Sequence, residues 1–236
     1  MISFIVPAYN EELELPPTLQ AIHRAAGELD PDYEIIVVND ASTDATPEIA
    51  ARAGARLVHI HSRQIAAARN AGARAARGDV LFFVDADTRI AAVHVRKAVE
   101  ALKAGYAGGS ARMDLDRDVP RFGEFMLRLF AAIYYANNLG AGAFLFTTRH
   151  NFEKVNGFDE QYFAGEEVVL SLALKKLGRF KVLSEPAVTS GRKLRMHKGR
   201  DVWKQLLRIL LGGKSSYRSR DRLGLWYDGK RESSIG

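Results

Sequence analysis

Asp85-Ala86-Asp87 sets two carboxylates two residues apart, at the end of a run (Val80–Val84) that carries no polar side chain. Such a pair repels itself unless a cation neutralises it, or unless it is a solvated turn. Carboxylate oxygens are hard ligands suited to Mg2+ or Mn2+, which usually keep waters and bind through one or two carboxylates plus ligand phosphates. Two further polar loops follow apolar runs: Pro7-Ala8-Tyr9-Asn10-Glu11-Glu12 and Asn39-Asp40-Ala41-Ser42-Thr43-Asp44. Taken singly, Ser42 and Asp44 also suit helix capping, and Glu11 and Glu12 suit a helix N-terminus. Glu166-Glu167 follows Gly165 at the start of a helical pattern, with the same two readings: acid–base chemistry or favourable charge on the helix dipole. Arg192, Lys193, Arg195 and His197 fall in GRKLRMHKGR; arginine offers a planar fork for phosphate oxygens, the alternative being a solvated tail with a surface histidine.

These residues need elements to position them. Ile2–Pro7, Tyr33–Asn39, Arg56–Ile60 and Val80–Val84 read as short buried strands. Between them, Glu12–Gly27 carries Leu15, Leu19, Ile22 and Ala26 at helical spacing. Thr46-Pro47 opens a helix ending near Gly54, and Ala66–Arg77 is an alanine-rich helix closed by Gly78. Strands alternating with helices at this spacing predict a single, mostly parallel sheet covered on both faces. Parallel strands end on one side, so the three acidic loops share an edge, where ligands of such sheets bind. Farther along, Gly108–Leu115 reads as a strand, Arg121–Asn137 as a helix and Gly142–Thr148 as a strand. Glu166–Leu177 reads as a helix stopped by Gly178. Lys181–Leu183 and Ala187–Thr189 read as two short strands around Pro186, and Asp201–Leu211 as an amphipathic helix. No linker or repeat divides the chain.

Composition narrows the classes. At 236 residues, 47% apolar and 26% charged, the chain is long enough for a real core and unlike a disordered one. The absence of cysteine excludes disulfides, thiolate metal sites and cysteine nucleophiles. Residues 192–236 hold 13 Lys and Arg against 4 acids, whereas residues 1–191 hold 21 against 24. The basic excess therefore belongs to a tail, and no nucleic-acid partner is expected from it. The first ten residues carry no basic stretch and turn polar at once, so no cleaved signal peptide is expected. Leu129–Thr148 is uncharged over twenty residues, but Asn137-Asn138, Gly140 and Gly142 at its middle favour helix, loop and strand over a membrane span. No GxGxxG follows a strand, Arg208 stands where a P-loop before Gly213-Lys214-Ser215 needs glycine, and HExxH and GxSxG are absent.

Six motifs in order resemble the family 2 glycosyltransferases, inverting enzymes of the GT-A fold: PAYNEE at 7–12, VVNDASTDAT at 37–46, AAARNAGARAARGD at 66–79, FFVDADT at 82–88, GAFLFTTRHNFEKVNGFDE at 142–160 and GEEVVLSLALKKLG at 165–178. The resemblance covers about residues 1–190. It implies a GT-A catalytic domain there, with a nucleotide-binding half to about residue 90, an acceptor-binding half after it, and a basic helical tail, residues 191–236, that completes the site or docks on a membrane. It also implies transfer of a sugar from a UDP- or GDP-sugar to an acceptor, with Mn2+ or Mg2+, in the cytoplasm or at the inner face of the membrane.

Residue by residue, the resemblance makes Pro7, Tyr9 and Glu11 a wall of the nucleoside pocket, Asp40 a contact to the base, and Arg69 a neighbour of the nucleotide. Asp85 and Asp87 match the metal motif, Asp87 as the direct ligand. Gly142–Phe158 resembles the acceptor wall. Glu166-Glu167 stands where the family usually has Glu-Asp, the second acid being the general base, which points to Glu167. Arg192 falls where a basic loop meets the diphosphate and His197 where a histidine meets the metal. Inverting transfer is one in-line displacement, the base taking the acceptor proton and the cation stabilising the leaving diphosphate. The alternatives are a nucleotidyltransferase, whose glycine-rich start PAYNEE replaces, and a non-catalytic nucleotide-sugar module. The acceptor is a small molecule, a glycan or a lipid-linked molecule. The tail helix, with Trp203, Leu206, Leu207, Leu210 and Leu211 on one face, suits an anionic membrane as well as docking on the body.

Overall fold

The computed structural model describes residues 1–29, 32–116, 135, 137–140 and 142–196. Strand β1 (Ile2–Ala8) lies between β2 (Tyr33–Asp40) and β4 (Val80–Val84), parallel to both, and β3 (Arg56–Ile60) extends the sheet beyond β2, again parallel. Past β4 the sheet turns mixed: β7 (Phe144–Thr148) runs antiparallel to β4, then β6 (Gly108–Leu115) antiparallel to β7, then β8 (Phe180–Thr189) parallel to β6, with β5 (Thr88–Arg89) at the edge. Among the described residues, four of the seven neighbouring pairs are parallel.

Two alternations of direction leave β6 and β8 running the same way as β1, β2 and β4. All five strands therefore end at one edge, and β7 begins there, with Val84 paired to Phe144 and the Asp85 N–H donating to the Ala143 carbonyl. This puts Tyr9–Glu14, Ala41–Ala45, Asp85–Asp87, Asp116, Gly142 and Ser190–Arg192 along a single rim.

Apolar residues alternate across the sheet. Phe4, Val6, Ile35, Val37, Phe82 and Val84 face one core, shared with Leu15, Leu19 and Ile22 of α1 (Leu15–Gly27), Ala50 of α2 (Thr46–Arg52), and Val95 and Ala98 of α4 (Ala92–Lys103). Ile5, Ile36, Val38, Leu81 and Phe83 face the other, covered by α3 (Ile65–Ala75), Phe152 of α5 (Arg149–Lys154), and Leu170 and Leu174 of α6 (Glu166–Lys175). A side chain period of two with helices on both faces is the physical reason these strands read as unbroken apolar runs. Helix α3 lies close on β1 and β2: a Cβ at Gly72 would collide with Ile5 and come within 2.9 Å of Val38.

Helix α1 starts at Leu15, not Glu12, with Pro16-Pro17 in its first turn. The N–H groups of Glu11 and Glu12 are taken by Thr46 Oγ1 and Asp44 Oδ2 instead, which holds that stretch out of the helix. β8 is one strand and not two: a register shift between Ala111 and Arg112 skips Ser184 and Glu185 and accommodates Pro186. Helices α4 and α5 have no counterpart in the sequence reading. The expected helices over 121–137 and 201–211 lie outside the described residues, apart from Tyr135 and Asn137. Among the described residues, no helix is long and apolar enough to cross a membrane.

Candidate active site

The loops after β1 and β2 are stitched together before any ligand arrives. Asn10, with φ of 51°, donates its N–H to Ser42 Oγ at 3.0 Å, and its Oδ1 accepts from the Thr43 N–H at 2.8 Å. Asp44 accepts from the N–H groups of Glu12 and Thr46, at 3.1 and 3.0 Å. Ser42 and Asp44 therefore shape the loops. Asp40, at the end of β2, is buried and saturated: its carboxylate accepts from the N–H groups of Ser62, Arg63 and Gln64 at 2.8, 2.8 and 2.9 Å. It anchors the turn leading into α3. That turn brings the Arg63 guanidinium over the Tyr9 ring, 3.2 Å from its centre. Pro7 lies within β1, registered against Val38.

Arg69 is the hub of the rim. It is 1% exposed in the middle of α3, donating from Nη1 to Glu166 Oε1 at 2.6 Å and from Nη2 to Asp85 Oδ1 at 2.7 Å and the Gly142 carbonyl at 3.1 Å. Its Nε is buried and has no partner. Burial disfavours its charge, but Asp85, Glu166 and Glu167 more than compensate and hold the guanidinium protonated. One buried cation thus ties β4, β7 and α6 together. Burial pushes Asp85 above the ordinary carboxylate range; Arg69 opposes the rise and Asp87 adds to it.

Helix α6 opens at Gly165, φ 73°, so Glu166 and Glu167 occupy its first two positions. Adjacent helical residues point about 100° apart. Glu166 turns inward onto Arg69. Glu167 makes no ion pair or side-chain hydrogen bond to another residue among the described residues, and a Cβ on Gly142 would lie 3.8 Å from its carboxyl carbon. Burial, with Glu166 next to it, pushes the Glu167 carboxyl up to about 8, against the pull of Arg69.

A second cluster forms on the other side of Asp85. Arg192, 6% exposed, grips Glu11 through both Nη atoms at 2.6 and 2.7 Å, and its Nη2 lies 3.2 Å from Asp87 Oδ2. Thr189 Oγ1 donates to Asp87 Oδ1 at 3.3 Å. Next to it, Arg89 pairs with Glu14 at 2.9 Å, and Asp116 takes the Gly191 N–H at 3.0 Å and Arg195 at 3.2 Å. Burial would raise Asp116, but the Gly191 N–H and the Arg195 and Arg89 charges hold it below the usual range. The chain beyond β8 is thereby strapped across the rim up to α7 (Arg192–Met196).

Asn70, next to Arg69, was not foreseen. Its Nδ2 donates to the Phe158 carbonyl and to Glu160 Oε1, each at 2.9 Å, and its Oδ1 accepts from the Phe158 N–H at 2.9 Å. Gly157 makes this turn at φ 69°, where a Cβ would also meet Asn70 Oδ1 at 2.7 Å. Arg89, Glu14, Asp116 and Thr189 were likewise missed; they are separated in sequence, and only strand order brings them together. His197 lies outside the described residues.

The donor set suits a divalent cation. Asp87 offers a hard carboxylate, 17% exposed and held among the described residues by a 3.3 Å hydroxyl contact and a 3.2 Å ion pair. Among the described residues no three acids or histidines converge on one point; Mg2+ and Mn2+ commonly complete their shells with waters and ligand oxygens.

Residues 3–156 match the model of the family described as Glycosyl transferase family 2. The chain is 34% identical over 113 residues to an undecaprenyl-phosphate 4-deoxy-4-formamido-L-arabinose transferase of Aeromonas hydrophila, a match over 45% of this chain and 35% of that one. It is 29% identical over 202 residues to the succinoglycan biosynthesis protein ExoO of Rhizobium meliloti, over 80% of this chain and 56% of that one. The chain thus spans between a third and just over half of these relatives. A solved structure of the mannosyltransferase PcManGT from Pyrobaculum calidifontis, in complex with GDP-Man and Mn2+, superimposes at a TM-score of 0.65 with 20% identity, over 97% of this chain and 73% of that one.

Proposed function

The chain belongs to glycosyl transferase family 2 and has the GT-A fold, and from that premise we propose that it moves a sugar from a nucleoside-diphosphate sugar to an acceptor hydroxyl in one inverting displacement. The observation that supports the reading is the division of labour between the paired acids: Glu166 is bound to Arg69, whereas among the described residues Glu167 makes no ion pair or side-chain hydrogen bond to another residue. A carboxyl poised at about 8 is close to the working range of a general base near neutral pH.

In this reading residues 1 to about 90 form the donor half and about 91 to 190 the acceptor half. Tyr9, Arg63 and the Asp40-anchored turn line the nucleoside side. Arg69 fixes Asp85 against Glu166, so that donor and acceptor sides keep a constant spacing. Glu167 takes the acceptor proton as the oxygen attacks the anomeric carbon, and Arg192 donates hydrogen bonds to diphosphate oxygens. A divalent cation held by Asp87 would offset the charge developing on the leaving diphosphate. The Mn2+ and GDP-Man of the Pyrobaculum structure support this choice of metal and donor class. The undecaprenyl phosphate in the name of the Aeromonas relative supports a lipid-linked acceptor, which would bring the work to a membrane surface.

Incubation with Mn2+ and a panel of UDP- and GDP-sugars tests the reading. Release of nucleoside diphosphate, abolished by EDTA and restored by Mn2+, is expected. Pyrophosphate as the product would make the chain a nucleotidyltransferase, and tight binding without turnover a nucleotide-sugar module.

A further inference from the structure

We infer that Arg192 is a tethered counter-ion for Asp87: without donor it holds the Asp87 carboxylate from a berth on Glu11, and it releases that carboxylate to a divalent cation arriving with the diphosphate. The inference rests on the donor site proposed above. Its geometric basis is an asymmetry. Both Nη atoms of Arg192 are bound to Glu11 at 2.6 and 2.7 Å, whereas the contact to Asp87 is single and longer, at 3.2 Å. Arg192 is therefore anchored at Glu11 and leans on Asp87. Its Nε is buried without a partner among the described residues, so one donor of the fork is unspent in this position. The backbone is fixed independently of the guanidinium. The Ser190 N–H donates to the Asp87 carbonyl at 3.1 Å, and the Arg192 N–H lies 3.4 Å from Ser190 Oγ. The side chain can change partners while its Cα stays beside Asp87.

Charge decides the sign of the coupling. A cation on Asp87 alone would stand within a few ångströms of the guanidinium, and the two would repel. With a diphosphate present, both cations have an anion to share, and Arg192 can turn its fork from Glu11 onto phosphate oxygens. Arg192 thus opposes the bare cation and favours the cation–nucleotide pair. Asp87 stays neutralised while the site is empty, and the carboxylate is handed over only to a metal that brings its phosphates.

The test follows Mn2+ binding to the whole chain by the electron paramagnetic resonance of the free ion, alone and with UDP or GDP. Arg192→Gln is expected to bind Mn2+ alone about 10-fold more tightly than the parent, and Mn2+ with nucleoside diphosphate about 10-fold more weakly, on the order expected for removing one charge from a close pair. Arg192→Lys, which keeps the charge and loses the fork, should match the parent for Mn2+ alone. Equal or weaker binding of Mn2+ alone by Arg192→Gln overturns the inference, as does the absence of any Mn2+ binding to parent and variant. Should Arg192→Gln not fold, Glu11→Gln removes the berth and leaves Asp87 as the remaining ion-pair partner of Arg192. Mn2+ alone should then bind about 10-fold more weakly than to the parent, and an unchanged affinity overturns the inference. These binding shifts need no turnover, so the sugar-transfer reading fails separately, on a parent that releases no nucleoside diphosphate from any donor.

Discussion

Two neighbouring glutamates of the same type and charge meet different surroundings one helical step apart. Glu166 is compensated by a buried arginine and serves to hold the site together; Glu167 is pushed up to about 8 by burial and by Glu166 itself. Glu167→Gln keeps the shape and removes the proton acceptor, so transfer should fall roughly 10²–10⁴-fold, with donor affinity near that of the parent in a titration with nucleoside diphosphate. The active form is the carboxylate. Hence kcat/KM should climb with pH up to about 8 and level above it, and the residual activity of Glu167→Gln should lack that limb. Glu166→Gln should act differently: it strips Arg69 of a buried partner and should lower the melting temperature more than Glu167→Gln does, because a buried charge left without its partner costs more than the loss of a carboxyl outside that pair. Parental rates in Glu167→Gln beside an inactive Glu166→Gln would reverse the two roles, and activity in both variants would move the base to Asp159 or Glu160.

At the scale of elements, helix α3 carries both fastenings of the site on consecutive residues. Arg69 reaches β4, β7 and α6, while Asn70 reaches the turn at 157–160. Its close approach to β1 and β2 at Gly72 makes the helix a rigid mount, because a residue larger than glycine cannot fit there without displacing Ile5 or Val38. Asn70→Ala would leave the buried N–H and carbonyl of Phe158 without partners, at about 1–3 kcal/mol for each group. A fall in unfolding free energy of about 2 kcal/mol or more is expected in a denaturant titration. Asn70→Asp keeps the acceptor for the Phe158 N–H but sets a second carboxylate oxygen against the Phe158 carbonyl and Glu160 Oε1, so it should lose at least as much. In the proposed reading the turn belongs to the acceptor side, so acceptor KM should rise more than donor KM in both variants.

Along the whole chain, charge is unevenly spread. An acidic rim must receive an anionic donor, and the sequence continues into a segment whose 13 basic residues outnumber its 4 acids. At about 1 kcal/mol for each basic residue near an anionic surface, that segment is enough to hold the protein on a charged bilayer. Flotation with phosphatidylglycerol vesicles at low salt should carry the chain to the top of the gradient, and 0.5 M salt should release it, since charge screening shortens to a few ångströms as salt approaches about 1 M. Failure to float at low salt would leave the tail as a structure docked on the catalytic body. Arg192 and Arg195 already show the first residues of the segment engaged with the rim through Glu11 and Asp116.

The apolar runs of β1, β2 and β4, the loops that follow them and the helical spacing between them were legible in the residues alone. Burial on both sheet faces requires unbroken apolar strands, and parallel strands must present their ends together. The identity of the rim acids was legible for the same reason, since carboxylates directly after a buried strand have nowhere else to go. Partnership was not. Nothing local separates Glu166 from Glu167, or tells that Asp40 spends its carboxylate on three backbone N–H groups while Asp87 is met by a guanidinium and a hydroxyl from the far end of the chain. Those assignments depend on Arg69 and Arg192, which arrive from residues up to 97 and 181 positions away in the chain. The antiparallel insertion of β7, the bulge that carries Pro186 through β8 and the late return of the chain to Glu11 are decided by strand order. Pairing across a sheet is a contest among distant segments for the same edge, and only the folded molecule, in which one of those pairings has won, contains its result.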